Sequence, residues 1–138
     1  MNTKRLIIGS LVGLVSLYIV GYLIWEVIFT EFFAANSGSA TGVDRDPQII
    51  WAIALGTLFY GVLLTLALES RGGSTSTVDA LKVGAVVGFL LWGTADFILY
   101  GYTNLNNLTA AIADTVLEGV RGGICGAIIA IVLSKTGD

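Results

Sequence analysis

Three features of the sequence predict an all-α fold, a bundle of four transmembrane helices built from two helical hairpins. Hydrophobic residues make up 55% of the 138 residues and charged residues only 12%, a balance suited to a membrane rather than to water. The apolar residues fall into four stretches, each near the ~20 residues needed to cross a bilayer core. The shortest polar break, around Asn106, forces the helices on either side of it to be antiparallel neighbours. The chain therefore reads as a single integral membrane domain, 1–138.

The first stretch runs from about Leu6 to Phe29. Lys4 and Arg5 before it look like the charged start of a secretory signal, but the apolar run is too long for one, so a retained helix is predicted. The second helix is expected from about Pro47 to Leu68, with Asp46 as its cap and Pro47 at the first position, where a missing N–H costs nothing. The third runs from about Val78 to Tyr102, opened by Ser76 or Thr77 with Asp79 in the first turn. Asn104, Asn106 and Asn107 form the turn before the fourth helix, about Leu108 to Leu133.

Orientation follows from the positive residues. Lys4, Arg5, Arg71, Lys82 and Lys135 fall on one side and Arg45 alone on the other, so both termini are expected in the cytoplasm. The segment from Glu31 to Asp46 is then an outer loop. Residues Glu69 to Thr77, rich in Gly, Ser and Thr, form a flexible linker between the hairpins.

Composition also removes whole classes of function. There is no histidine, which excludes imidazole ligation of haem or chlorophyll, nearly all zinc sites and every His-based catalytic scheme. The single cysteine, Cys125, excludes an intrachain disulfide and reads as a small packing residue. A net charge of -3 without a basic run gives nucleic-acid binding no support. With no nucleophile pair, metal cluster or phosphate loop, neither an enzyme nor a cofactor is expected.

Glycine spacing predicts how the helices meet. Among 18 glycines, the pairs Gly9/Gly13, Gly84/Gly88, Gly119/Gly123 and Gly122/Gly126 are four apart, which lets backbones approach where lipid offers no hydrophobic drive. A parallel two-fold repeat is suggested by Gly9-x3-Gly13-Leu14 against Gly84-x3-Gly88-Phe89, and by Gly61-Val-Leu-Leu against Gly126-Ala-Ile-Ile.

The candidate site lies in the second hairpin. Asp96, Asp114, Glu118 and Arg121 stand in otherwise apolar helices, where an unpaired charge costs several kcal/mol. If the hairpin turns near Leu105, Asp96 lies level with Asp114, Trp92 with Glu118, and Phe89 with Arg121. Asp114, Glu118 and Arg121 share one helix stripe, as do Phe89, Trp92 and Asp96. At 1.5 Å per residue the two aspartates lie about 9 Å below the outer helix ends and Arg121 about 20 Å below. Arg121 is expected to fork onto Glu118 and reach Asp96 or Asp114, with Trp92 offering its face to the guanidinium. Glu26 and Glu31 are weaker candidates, expected in the headgroup layer. Trp25, Phe29, Phe32, Phe33, Trp51, Tyr100 and Tyr102 read as an interfacial aromatic belt, while Tyr18, Tyr22 and Tyr60 lie deeper and need hydroxyl partners.

Over residues 81–130, the segments Gly84-x3-Gly88-Phe89, Gly93-Thr94-Ala95-Asp96, Tyr102-Thr103-Asn104-Leu105 and Ala113-Asp114 resemble small bacterial four-helix inner-membrane families of unknown function. That resemblance implies a fold and an inner-membrane location, and no activity. Two functions from different classes follow from the sequence. One is a small transporter or channel-like protein for an ion, a proton or a small polar solute, working as a homo-oligomer because four helices enclose little room. The other is a non-catalytic accessory or assembly subunit of a larger membrane complex, whose charged seam holds helices or a partner together.

Overall fold

The computed structural model describes residues 2–137 and is all-helical. Helix α1, Thr3–Gly21, opens on Asn2, whose side chain accepts the Arg5 N–H at 3.2 Å. It continues without a break into a wider π-helical segment, Tyr22–Ile28, closed by the Phe29 N–H on the Ile24 carbonyl. A short helix α2, Thr30–Ala35, follows. Helices α3, Ile50–Glu69, α4, Thr77–Tyr102, and α5, Leu108–Ser134, complete the chain. Four helical spans are long and apolar enough to cross a membrane: Thr3–Ile28, Ile50–Glu69, Thr77–Tyr102 and Leu108–Ser134.

Local chemistry sets most of these limits. Ser76 caps α4 by accepting the Asp79 N–H, and Asn107 caps α5 by accepting the Ala110 N–H at 2.8 Å; each satisfies an N–H that has no partner inside its helix. Expectation and structure part at α3. It starts at Ile50 rather than Pro47, and no side chain caps it. Residues 43–49 run instead as an exposed irregular stretch, so Asp46 and Pro47 lie outside the helix and the Asp46 carboxylate caps nothing. The outer loop is also more ordered than a plain connection. It contains α2, and Ser37 pairs with Asn106 across the Asn-rich turn, with the Asn107 side chain on Asn36 at 3.1 Å.

The helices pair as α1 with α3 and α4 with α5, and α1 against α5 joins the two hairpins; α3 meets α4 and α5 only sparingly. Helix α5 is the most enclosed span, half buried, whereas α4 presents most of its surface outward. The core where α1, α3 and α5 meet holds Leu17, Leu64, Cys125 and Ile129, all fully buried, with Tyr60 beside them.

Because the exterior is as apolar as the interior, close backbone approach has to replace the hydrophobic drive. A Cβ placed on Gly13 would come within 2.7 Å of the Gly61 Cα, and one on Gly84 would collide with the Gly122 carbonyl. Gly9 faces Thr65, Gly88 the Glu118 carbonyl and the Tyr60 hydroxyl, and Gly126 the Ala80 carbonyl. The two segments of the proposed repeat thus take equivalent places, each closing its own hairpin. Gly119 and Gly123 sit more loosely, against Phe89 and Leu81, at the rim of an apolar groove between α4 and α5. Helix α5 runs unbroken through Gly122 and Gly123.

Candidate functional site

Within the apolar bundle, α1, α4 and α5 bring a set of polar side chains together. Asp96 on α4 and Glu118 on α5 are almost fully buried, at 7% and 3% exposure. Asp96 lies close to Asp114 across the hairpin. Thr115 Oγ lies 3.2 Å from Asp96 Oδ2 and 2.9 Å from the Ala111 carbonyl, and its one proton serves one of them at a time.

One turn deeper, Arg121 Nη1 donates to Glu118 Oε1 at 3.0 Å, an ion pair with little exposure on either side. Its Nε and Nη2 both donate to the Leu17 carbonyl, at 3.0 and 2.8 Å. Gly21 makes that approach sterically feasible. It follows Leu17 by one helical turn, and a Cβ there would stand 2.7 Å from Arg121 Nη2. The guanidinium also lies over the rings of Trp25 and Tyr60, 5.4 and 5.7 Å from their centroids, distances at which a cation is attracted by a ring face.

Trp25 joins the two halves. Its ring packs on Arg121 while its indole N–H donates to Asp114 Oδ1 at 2.7 Å. Leu17, Gly21 and Trp25 are spaced four apart, so one stripe of the first span supplies a carbonyl, a gap and a donor to the charges of α5.

The residues singled out in the sequence are therefore distributed as follows. Asp114 and Arg121 both meet Trp25, Glu118 pairs with Arg121, and Asp96 lies near Asp114. Arg121 is directed to α1, where it bonds the Leu17 carbonyl, it pairs with Glu118 on its own helix, and among the described residues none of its hydrogen bonds goes to Asp96 or Asp114. The ring faces offered to it are those of Trp25 and Tyr60. Trp92 instead lines a shallow groove between α3 and α4 beside Phe59 and Tyr60. Phe89, level with Arg121, packs on the opposite side of α5 against Gly119. Tyr18 and Tyr22 face outward, and the buried Tyr60 hydroxyl, the Trp92 N–H and Glu118 Oε2 have no hydrogen-bond partner among the described residues.

A cleft of about 450 Å3 opens between α1 and α3 and reaches this cluster, lined by Tyr18, Tyr22, Trp25, Glu26, Gln48 and Thr57 with Arg121 at its inner end. Glu26 thus stands at an approach to the site. Among the described residues no group of three His, Cys, Asp or Glu side chains is placed to hold a metal ion.

A second buried ion pair lies at the opposite end of the bundle. Arg5 bonds Glu69 through two nitrogens at 3.0 and 2.9 Å, and also reaches the carbonyls of Gly73, Leu133 and Thr136. It ties the start of α1 to the ends of α3 and α5 and to the linker. Arg5 entered the sequence reading only as a topogenic charge; a positive residue at one helix start and Glu69 at the same-side end of its neighbour was the signal that could have paired them.

Comparison with protein-family models, curated proteins and solved structures finds no match.

Proposed function

We propose that this small membrane protein passes a proton, an ion or a small polar solute through the Asp96, Asp114, Glu118 and Arg121 cluster, and that it does so as an oligomer. The observation that carries the reading is the cleft between the first span and α3 that ends on Arg121, with Glu26, Gln48 and Thr57 among its otherwise largely apolar lining. A charge network that only fixes helix register gains nothing from an open approach lined by Glu26, Gln48 and Thr57, whereas a permeation site requires one. A proton is the simplest cargo for such a cluster, and Glu118 Oε2 and the Tyr60 hydroxyl are buried polar atoms suited to a bridging water. On this reading the cleft opens to the outer side, both termini are cytoplasmic, the host membrane is a bacterial inner membrane, and no catalysis is involved.

Purified protein in liposomes carrying an internal pH dye and an imposed potassium potential tests this. Proton or cation flux above that of empty liposomes is expected, with loss in Glu118→Gln and Asp114→Asn. Wild-type vesicles no leakier than empty ones to protons, monovalent cations and anions would leave the second reading.

That reading is an accessory subunit of a larger membrane complex. It is favoured by one observation, the apolar groove of about 610 Å3 between the outward faces of α4 and α5, lined by Leu81, Ala85, Phe89, Gly119 and Gly123. Small residues in an exposed groove admit a neighbouring helix at close range.

A further inference from the structure

At the end of the bundle where Glu69 and Thr77 lie, α3 and α4 diverge and leave a cleft of about 490 Å3. Arg71, just past α3, and Lys82, in the second turn of α4, both line it. Val83, Val86 and Val87 line it further along α4, in the apolar span. Both cations are exposed, and neither forms a salt bridge among the described residues. The one carboxylate of the cleft, Asp79, is engaged in the helix cap, accepting from the Ser76 hydroxyl at 2.8 Å while its N–H donates back at 3.1 Å.

We propose that this cleft binds an anionic phospholipid of the bilayer, with its phosphate between Arg71 and Lys82 and an acyl chain along Val83, Val86 and Val87. Two cations, one from the linker just past α3 and one from α4, above an apolar slot, complement a phosphodiester that carries hydrocarbon. A zwitterionic lipid brings its own positive group and gains less from them. Free phosphate has nothing to place on the valines. A lone basic residue at a helix end would simply extend its head into the interface; here two converge on one cleft while the acidic neighbour is held by its cap. The site is independent of any permeation through the Arg121 cluster.

Native mass spectrometry of the full chain in detergent tests it, with equal amounts of phosphatidylglycerol and phosphatidylcholine of matched acyl chains, and separately with inorganic phosphate as competitor. Two attracting charges predict roughly a thirtyfold preference for retaining one phosphatidylglycerol per chain. The Arg71→Gln/Lys82→Gln variant is expected to lose that preference, and phosphate at equal concentration to leave the bound lipid in place. Retention unchanged in the double variant overturns the site, and displacement of the lipid by phosphate alone overturns the role given to the valine slot. If the double variant fails to fold, Asp79→Asn decides: retention of phosphatidylglycerol should rise, and a fall or no change sinks the proposal.

Discussion

The indole N–H of Trp25 lies 2.7 Å from Oδ1 of Asp114 while the same ring packs on the Arg121 guanidinium. One side chain from the first span thereby satisfies an acid and a base carried by the last. The antiparallel contact of α1 and α5 is held by similar bonds at both ends, Trp25 to Asp114 and Arg5 to the Leu133 carbonyl, with Arg121 to Leu17 between them. Polar groups, rather than apolar burial, fasten these two helices where lipid competes equally for every leucine.

Replacing Trp25 with Phe keeps a ring near Arg121 and removes the donor to Asp114. A hydrogen bond to a charged acceptor is worth ~1.5–3 kcal/mol, so a lower thermal midpoint in detergent is expected. Combined with Asp114→Leu, the loss should be less than the sum of the two single effects, because both remove the same bond. Simple additivity would mean that the bond contributes nothing.

Glycines at the helix crossings should be intolerant in proportion to what their missing Cβ would meet. Gly88→Leu and Gly126→Leu push into the Glu118 and Ala80 carbonyls, and Gly21→Ala into the Arg121 guanidinium. Each should cost ~1–3 kcal/mol as overpacking. Gly56→Ala meets nothing within 4 Å and serves as the control. Thermal melts that rank Gly56→Ala as equally damaging would remove packing as the explanation.

Helix number, pairing of the last two helices and the nearness of Asp96 to Asp114 were legible because each follows from local chemistry: apolar run length, the Asn-rich turn and a fixed rise per residue. The partner of Arg121 was not. Trp25 looked interfacial on hydropathy alone, and nothing local reveals that the Leu17 carbonyl is approachable. That required knowing that α1 packs on α5 with Gly21 toward it. The start of α3 was missed for a related reason. Asp46-Pro47 carries a capping signature, but the first-turn preference is weak and the chain enters the helix three residues later, without a side-chain cap.

Topology is testable at Ser39, an exposed residue of the loop that follows α2. The only native cysteine, Cys125, is buried, so a Ser39→Cys variant carries a single accessible thiol. The clustering of Lys4, Arg5, Arg71, Lys82 and Lys135 at the opposite end predicts labelling by a membrane-impermeant maleimide from outside intact cells. Labelling only after the cytoplasmic face is opened would reverse the orientation.

Arg5 and Glu69 form a buried pair with several further bonds to backbone carbonyls. Removing one member, as in Arg5→Leu, leaves a buried carboxylate and costs ~3–5 kcal/mol. Arg5→Leu with Glu69→Leu should recover part of that loss, because neither charge is then stranded. Equal melting temperatures for wild type and Arg5→Leu would show that the pair is dispensable.

The Arg121–Glu118 pair is the point at which a shared site and a set of unrelated charges make different predictions. Arg121→Leu strands the Glu118 carboxylate, 3% exposed, and removes three hydrogen bonds, two of them to Leu17. Adding Glu118→Gln replaces the stranded charge with a neutral amide, so the double variant should be more stable than Arg121→Leu alone, with a coupling of ~1 kcal/mol or more. Recovery should stay incomplete, since the Leu17 carbonyl loses its partner in both. The cycle is measured by thermal unfolding in one detergent at one pH, with wild type, both singles and the double in parallel. If the two substitutions simply add, Glu118 is stabilised by something other than Arg121, and the cluster ceases to be one unit through which an ion or proton could be handed on.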